Sequence, residues 1–242
     1  MNFNYFKTIL EETKELAFSQ VLIIVLLFIQ ISVVTRGLGT SNYGRAALVL
    51  ALVALIFRTF HSRNSEVTLL MLKKHGKNIY SVSLLFDIFI GIISMLLCVI
   101  LFQSSINTLF GDYQFNTILL ILLLSRVIQT LSESSKAVLT FYGKFKKFAL
   151  VDSVSNIFRF VAIIFLFYFE KSIENYLIGQ SIFSITYGLF GVFVCRDYLK
   201  ISDISFKNVK EYLQVFKLDF YKQRADQLVG IIPQHLDLII LG

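Results

Sequence analysis

The run "LAFSQVLIIVLLFIQISVVT", Leu16 to Thr35, decides the class of fold because none of its 20 residues is charged. At 1.5 Å per residue, a helix of this length crosses about 30 Å of hydrocarbon. The run is longer than the core of a cleaved signal peptide, which has about 7 to 15 residues, and the following "VVTRG" offers no small-residue cleavage site. The sequence therefore predicts that this segment remains in the protein as its first membrane-spanning helix.

The composition extends this interpretation to the whole chain. Of its 242 residues, 56% are hydrophobic and only 16% are charged, whereas about a quarter of an average soluble chain is charged. We therefore predict an all-α integral membrane protein, a six-helix transmembrane bundle followed by the start of a seventh helix near Lys217. The five further spans are Ala46 to Phe57, Ile79 to Phe102, Phe115 to Leu124, Phe148 to Phe169 and Tyr176 to Val194.

Basic residues predict the orientation of the bundle, since short cytoplasmic loops are enriched in lysine and arginine. They lie at the amino terminus and in alternate loops, which places the amino terminus of this multi-pass protein in the cytoplasm. The net charge of +7 is divided among these separate loops, so it indicates anchoring at the membrane rather than binding of nucleic acid. The inner set is Lys7, Lys14, Lys73, Lys74, Lys77, Lys144, Lys146, Lys147, Arg196, Lys200, Lys207, Lys210 and Lys217.

The glycine-rich stretch "TRGLGTSNYGR", Thr35 to Arg45, separates the first two spans. Glycine permits tight turns, and serine and asparagine side chains bond to nearby backbone groups. With this orientation, the stretch is predicted to be a short external loop.

Several kinds of site find no support in the sequence. The three histidines are far apart and no HExxH or CxxC motif is present, so no metal site is predicted. The sequence contains neither a GxGxxG motif nor a Walker motif, so no nucleotide-binding site is predicted. Cys98 and Cys195 fall near opposite ends of their spans, which favours a packing role for each cysteine over a disulfide. We expect no catalytic residue and no cofactor, and therefore a protein that is not an enzyme.

Charged residues inside the spans are more informative, because each costs about 2.5 kcal/mol or more in hydrocarbon and normally faces protein or water. In the fourth span, Arg126, Gln129, Glu133 and Lys136 follow one another at intervals of three and four residues, which is one face of a helix. The other spans carry comparable stripes, so the helices are predicted to surround a common polar interior. These stripes include Arg58, Asp87, Asp152 and Arg159.

The depth of these charges predicts a cationic centre. Arg126 and Arg159 lie about 15 Å from one end of their spans, near the midplane, and Arg58 lies slightly deeper toward the cytoplasm. An arginine fork suits phosphate, so an anion-binding role is one interpretation. The other is that the charges pair and hold the bundle together, because carboxylates lie in the cytoplasmic half. These carboxylates are Asp87, Glu133 and Asp152.

Three stretches carry a family resemblance. "TRGLGTSNYGRAALVLAL" resembles the R-x-LG-x-x-x-YG segment that closes the first helix of bacterial polysaccharide flippases, the Wzx-like branch of the multidrug/oligosaccharidyl-lipid/polysaccharide exporter superfamily. "KAVLTFYGKFKKFALVDSVSNIFR" is similar to the connection between the fourth and fifth helices of that family. "QHLDLIILG" is similar to the start of its second lobe.

The resemblance implies one lobe of a two-lobe transporter that moves a lipid diphosphate-linked oligosaccharide across the bacterial cytoplasmic (inner) membrane, for O-antigen or other surface polysaccharide, by ion-coupled alternating access. It implies as partners a polyprenyl diphosphate-linked oligosaccharide, membrane lipid, polysaccharide polymerases and the missing carboxy-terminal lobe. The chain then divides into an amino-terminal lobe at 1–195, a cytoplasmic or interfacial connector at 196–216, and the truncated start of the second lobe at 217–242.

Within this scheme, Arg58, Arg126 and Arg159 are expected to contact the diphosphate. The coupling proton or sodium ion is expected at Asp87, Glu133 or Asp152.

Two other functions remain open. A drug or metabolite antiporter of the same superfamily is disfavoured by the midplane arginines. A membrane-embedded glycosyltransferase or polymerase needs an acidic external active site. It is disfavoured because the acidic residues of the external loops are only Asp112, Glu170 and Glu174.

Overall fold

Helices account for almost all of the computed structural model. Its described backbone covers 3–61, 64–109, 113–200 and 204–217, and its described side chains cover 14–59, 64–102, 117–200 and 204–217. Within these ranges there is no strand, which confirms the all-α class. The helices are α1 (Phe3–His61), α2 (Asn64–His75), α3 (Tyr80–Leu109), α4 (Tyr113–Phe141), α5 (Phe145–Phe169), α6 (Ile173–Val194) and α7 (206–217), with 3₁₀ turns at Gly76–Ile79 and Arg196–Tyr198.

By length and composition, four stretches of the described chain are apolar enough to cross a membrane. The first stretch runs over α1, α2 and α3 together, so length and composition alone do not resolve six separate spans. The predicted ends of the fifth and sixth spans, Phe169 and Val194, coincide with the ends of α5 and α6. The predicted seventh helix lies outside the described residues. The four stretches are Lys14–Phe102, Thr117–Phe141, Phe145–Phe169 and Ile173–Val194.

A single glycine bends α1, so the prediction of a loop from Thr35 to Arg45 was wrong. The stretch is helical except at Gly39, where φ is 77° and ψ is 161°. Only glycine adopts this combination of angles readily. The Asn42 side chain donates to the Leu38 carbonyl oxygen across the bend at 3.3 Å. One residue therefore reorients the chain where the sequence had indicated a longer turn.

The arm of α1 before Gly39 lies along α5 in the same direction. Near the start of α5, Ser19 Oγ donates to the Ala149 carbonyl oxygen at 3.1 Å and lies 2.7 Å from Ser153 Oγ. Near the end of α5, the backbone of Gly37 lies against the Phe167 ring. This arm leaves one flank uncovered, where Phe18 and Phe28 are each 73% exposed.

The arm after Gly39 packs against α3, α4 and α6. Ala46 lies in one hydrophobic cluster with Val34 of the first arm and Tyr176 of α6. Val53 lies in a second cluster with Cys98 of α3 and residues of α4. The second arm therefore packs both against the first arm and against α3, α4 and α6.

Close contact between α4 and α6 fixes the centre of the bundle. A Cβ atom added at Gly188 of α6 would clash with the backbone carbonyl oxygen of Ile128. One turn later, an added Cβ at Gly191 would lie 3.3 Å from Ser135 Cβ. The two helices therefore touch backbone to backbone beside the polar stripe of α4.

We expect Gly39→Ala to destabilise the protein by about 1 to 3 kcal/mol, because a Cβ atom is strained at this φ and ψ. The measurement is the free energy of unfolding in detergent micelles. The matched control is Gly44→Ala, since Gly44 is helical and has open space where a Cβ would go. The control is expected to be neutral or stabilising, and equal stability of the two variants would contradict the bend described above.

Candidate functional site

A cavity of about 400 Å³ lies between the second arm of α1 and α4. It brings together three of the predicted site residues, Arg58, Arg126 and Glu133, from two separate helices. The remaining lining residues are Ala54, Phe57, Gln129 and Thr130.

Arg126 is held by a neighbour on its own helix. Its Nη1 donates to Gln129 Oε1 at 2.7 Å, and the same oxygen accepts from Ser184 Oγ of α6 at 3.0 Å. Within the ranges of described side chains, the buried Arg126 Nε has no hydrogen-bond partner. Among the described side chains, no carboxylate forms an ion pair with this arginine. Arg126 therefore retains donor capacity and positive charge beside the cavity.

Arg159 of α5 is not among the residues that line the cavity. Its Nη2 donates to Asn156 Oδ1 at 2.5 Å, and its guanidinium carbon lies 4.6 Å from the centre of the Phe183 ring. Its buried Nε also has no hydrogen-bond partner within the described part of the chain. Phe183 adjoins Ser184, the α6 residue that bonds to Gln129, so both arginines lie near the same turn of α6.

The three predicted carboxylates occupy different surroundings. Glu133 lines the cavity and forms an ion pair with Lys136 at 3.3 Å. Lys136 Nζ also lies 5.0 Å from the centre of the Tyr187 ring. The Tyr187 hydroxyl in turn donates to Asp152 Oδ1 at 2.6 Å. The Glu133 carboxylate is therefore paired within α4, and Asp152 does not line the cavity.

Asp87 of α3 is fully buried behind the cavity wall. Its Oδ1 accepts from Asn64 Nδ2 at 2.6 Å, and its Oδ2 accepts from the Ser134 backbone N–H at 3.2 Å. Thr130, which lines the cavity, donates its hydroxyl to the Asp87 carbonyl oxygen at 3.0 Å. Asp87 is therefore connected to the cavity through one side chain, although it does not line the cavity itself.

The predicted polar stripes of α3 and α5 are largely buried, whereas Arg58 of the α1 stripe is exposed. Ser83, Asp87 and Ser94 of α3 are all 0% exposed, as expected from their spacing. In α5, Ser155 and Asn156 are buried beside Asp152. Within the described residues, no group of three histidine, cysteine, aspartate or glutamate side chains is arranged to hold a metal ion.

The family model described as polysaccharide biosynthesis protein matches residues 33–242. The chain belongs to the polysaccharide biosynthesis protein family. This match confirms the family resemblance drawn from the motifs, and it spans the second arm of α1, the cavity and α7. No curated protein and no solved structure matches the chain. Together with its apolar helices, the family identifies a multi-pass membrane protein.

Three polar residues of this polysaccharide biosynthesis protein were not assigned from its sequence. Gln129 appeared in the stripe of α4 but received no role, although it joins Arg126 to α6. Asn64 and Tyr212 were missed altogether, and both belong to the hydrogen-bond network of Asp87. The sequence contains one local indication of this network, the polar residues Asn64 and Thr68 four positions apart on one helix face. Both side chains are buried in the structure.

Proposed function

We propose that this polysaccharide biosynthesis protein is a flippase, a membrane transporter that moves lipid diphosphate-linked oligosaccharide across the bacterial inner membrane for surface polysaccharide synthesis. One observation carries the proposal. Arg126 lies at a cavity in the bundle, and among the described residues its buried Nε has no hydrogen-bond partner and its guanidinium has no ion pair. A buried guanidinium of this kind is costly unless an anion meets it. Its planar fork suits the oxygens of a diphosphate.

The charge of the lining supports an anionic substrate. Arg58 and Arg126 contribute two cations to the wall, and Glu133, the one carboxylate among the described lining residues, is already paired with Lys136. The local balance is therefore positive. An organic cation, the substrate expected of a drug antiporter, would be repelled by this wall.

The two arms of α1 support the count of six spans. The first arm runs along α5, and the second packs against α3, α4 and α6. In this scheme the stretch Lys14–Phe102 crosses the membrane three times, and α4, α5 and α6 cross it once each, which gives six spans. In the proposed scheme this bundle is one lobe at 1–195, with the amino terminus in the cytoplasm and the connector at 196–216.

Alternating access requires this lobe to move against a second one around a site near the midplane. The proposed coupling groups for the driving ion are Asp87, Glu133 and Asp152. Of these, Glu133 lines the cavity and Asp87 is linked to it through Thr130.

The proposal is tested with the full-length protein in proteoliposomes that contain a fluorescent polyprenyl diphosphate oligosaccharide. We expect protein-dependent movement of the glycan to the opposite leaflet, measured as cleavage by a membrane-impermeant glycosidase. Parallel assays follow sugar incorporation from nucleotide sugars and uptake of organic cations. Incorporation or cation uptake without movement of the lipid-linked glycan would contradict the flippase function.

A further inference from the structure

The helix α7 buries Tyr212 in the interior of the bundle, and partly buried apolar side chains of the same helix pack around this core cluster. Tyr212 is 0% exposed, whereas Phe206 at the start of the same helix is 85% exposed. The Tyr212 ring lies 4.5 Å from the Phe86 ring of α3, centre to centre. The connector is therefore docked on the bundle through a buried aromatic residue.

The hydroxyl of Tyr212 is one end of a hydrogen-bond chain that leads to Asp87. It donates to Asn64 Oδ1 at 2.7 Å, and Asn64 Nδ2 donates to Asp87 Oδ1 at 2.6 Å. Thr68 Oγ1 lies 2.8 Å from the same hydroxyl. Because the NH₂ group of Asn64 is directed at Asp87, its oxygen must face Tyr212, and the tyrosine must be the donor. The Asp87 carboxyl group at one end of the chain thus determines that the Tyr212 hydroxyl at the other end acts as a donor.

A second contact fastens α7 to α2 from outside. Glu211, next to Tyr212, forms an ion pair with Lys74 and lies 3.2 Å from His75 Nε2. The Lys74 ammonium group holds the pKa of Glu211 below its ordinary value, with a smaller contribution from His75. An exposed pair of this kind contributes little to stability, so the buried Tyr212 is the specific part of the attachment.

We propose that Tyr212 is a positioning residue that fixes Asp87 through Asn64 and thereby couples the connector helix α7 to the transport cavity. The link to the cavity is Thr130, which lies in the cavity wall and is bonded to the Asp87 backbone. This inference rests on the proposed function, because it treats the cavity as a transport site. Coupling of this kind is reciprocal, so a change at Asp87 alters the docking of α7, and undocking of α7 alters Asp87.

The first test measures hydrogen exchange of the amides at 206–217 in the full-length protein and in Asp87→Asn. The side-chain amide that replaces the Asp87 carboxylate no longer requires the NH₂ group of Asn64 as its hydrogen-bond donor. The side-chain amide of Asn64 is then free to flip, so the Tyr212 hydroxyl loses its fixed acceptor. Loss of about one net hydrogen bond predicts about tenfold faster exchange in α7. The control is Asp152→Asn, a buried carboxyl that bonds to Tyr187 rather than to Asn64. Unchanged exchange in Asp87→Asn, or equal acceleration in both variants, would overturn the coupling.

The reciprocal test uses Tyr212→Phe, which keeps the ring and removes the hydroxyl. We expect about fivefold slower transport than wild type, on the scale of one lost hydrogen bond. Tyr80→Phe is the matched control, since it removes a buried hydroxyl that lies 2.9 Å from Ser135 Oγ in the same core cluster. This control is expected to transport at the wild-type rate, and equal loss in both variants would reduce Tyr212 to a packing role.

The two readouts separate this inference from the proposed function. Exchange at 206–217 does not require transport, so accelerated exchange in Asp87→Asn supports the coupling even if the wild-type protein moves no lipid-linked glycan. Conversely, normal transport by the wild type with unchanged exchange in Asp87→Asn refutes the coupling alone. A double variant, Asp87→Asn with Tyr212→Phe, is expected to exchange no faster than Asp87→Asn, because both changes break one chain.

Discussion

Replacement of Arg126 by glutamine is expected to reduce transport of lipid-linked oligosaccharide about 100-fold or more, the scale for truncating a buried charge that contacts an ionic partner. Arg126 lies at the cavity and its Nε has no partner in the described part of the bundle, so its main electrostatic partner in the proposed cycle is the substrate. Glutamine fits beside Gln129 but lacks the charge and the planar fork. The measurement is the initial rate of glycan movement in proteoliposomes.

The same substitution is expected to leave the fold intact or to stabilise it. Removing one partner of a buried ion pair is damaging because the other charge is left alone. Arg126 has no ion-pair partner among the described side chains, so its replacement leaves no described carboxylate unpaired. We therefore expect an unfolding temperature equal to or above that of the wild type. Higher stability combined with lost activity is typical of a residue retained for function.

Two further variants make this test specific. Arg126→Lys keeps the charge without the fork and is expected to retain intermediate activity. Arg45→Gln changes an exposed arginine of α1 outside the cavity and is expected to transport normally. Normal transport by Arg126→Gln at wild-type protein levels would remove the basis of the proposed diphosphate site.

Substitution of Gly188 by alanine is expected to cause the largest loss of stability, because the added Cβ would overlap the backbone of Ile128. Backbone atoms cannot turn aside as a flexible side chain can, so α4 and α6 must move apart along their interface. Such overpacking typically costs about 1 to 3 kcal/mol and occasionally more, and we expect the upper end of this range. The measurement is the unfolding temperature of the purified protein together with its yield from membranes.

Gly191→Ala is the matched control for this variant. It lies on the same face of α6 one turn later, and an added Cβ would lie 3.3 Å from a side-chain atom of Ser135 rather than inside a backbone group. We expect a loss of less than about 1 kcal/mol, the scale of a volume change that neighbours can accommodate. Equal losses at the two positions would contradict the close approach of α4 and α6 at Gly188.

Much of the helical architecture could be predicted because a bilayer imposes simple rules on a sequence. The charge-free run Leu16 to Thr35 and the ends at Phe169 and Val194 follow from apolar length alone. The burial of Asp87 and Ser94 follows from helical spacing. The bend at Gly39 could not be predicted, because "TRGLGTSNYGR" contains three glycines and its pattern does not show which one leaves helical geometry.

The candidate site was predictable in part for a similar reason. Residues on one stripe of α4 share a face, so Arg126 and Glu133 were expected to lie together. Whether Arg159 enters the same cavity depends on how α5 rotates against its neighbours, which local periodicity does not contain. The contact of Tyr212 with Asn64 joins residues 148 positions apart, and it likewise depends on tertiary packing.

The two cysteines, Cys98 and Cys195, are buried in separate core clusters. Both native thiols are therefore shielded from maleimide reagents while the bundle is folded. A single thiol engineered on the wall of the cavity, as in Ala54→Cys, can report by its labelling rate which side of the bilayer the cavity faces, without first removing the native cysteines.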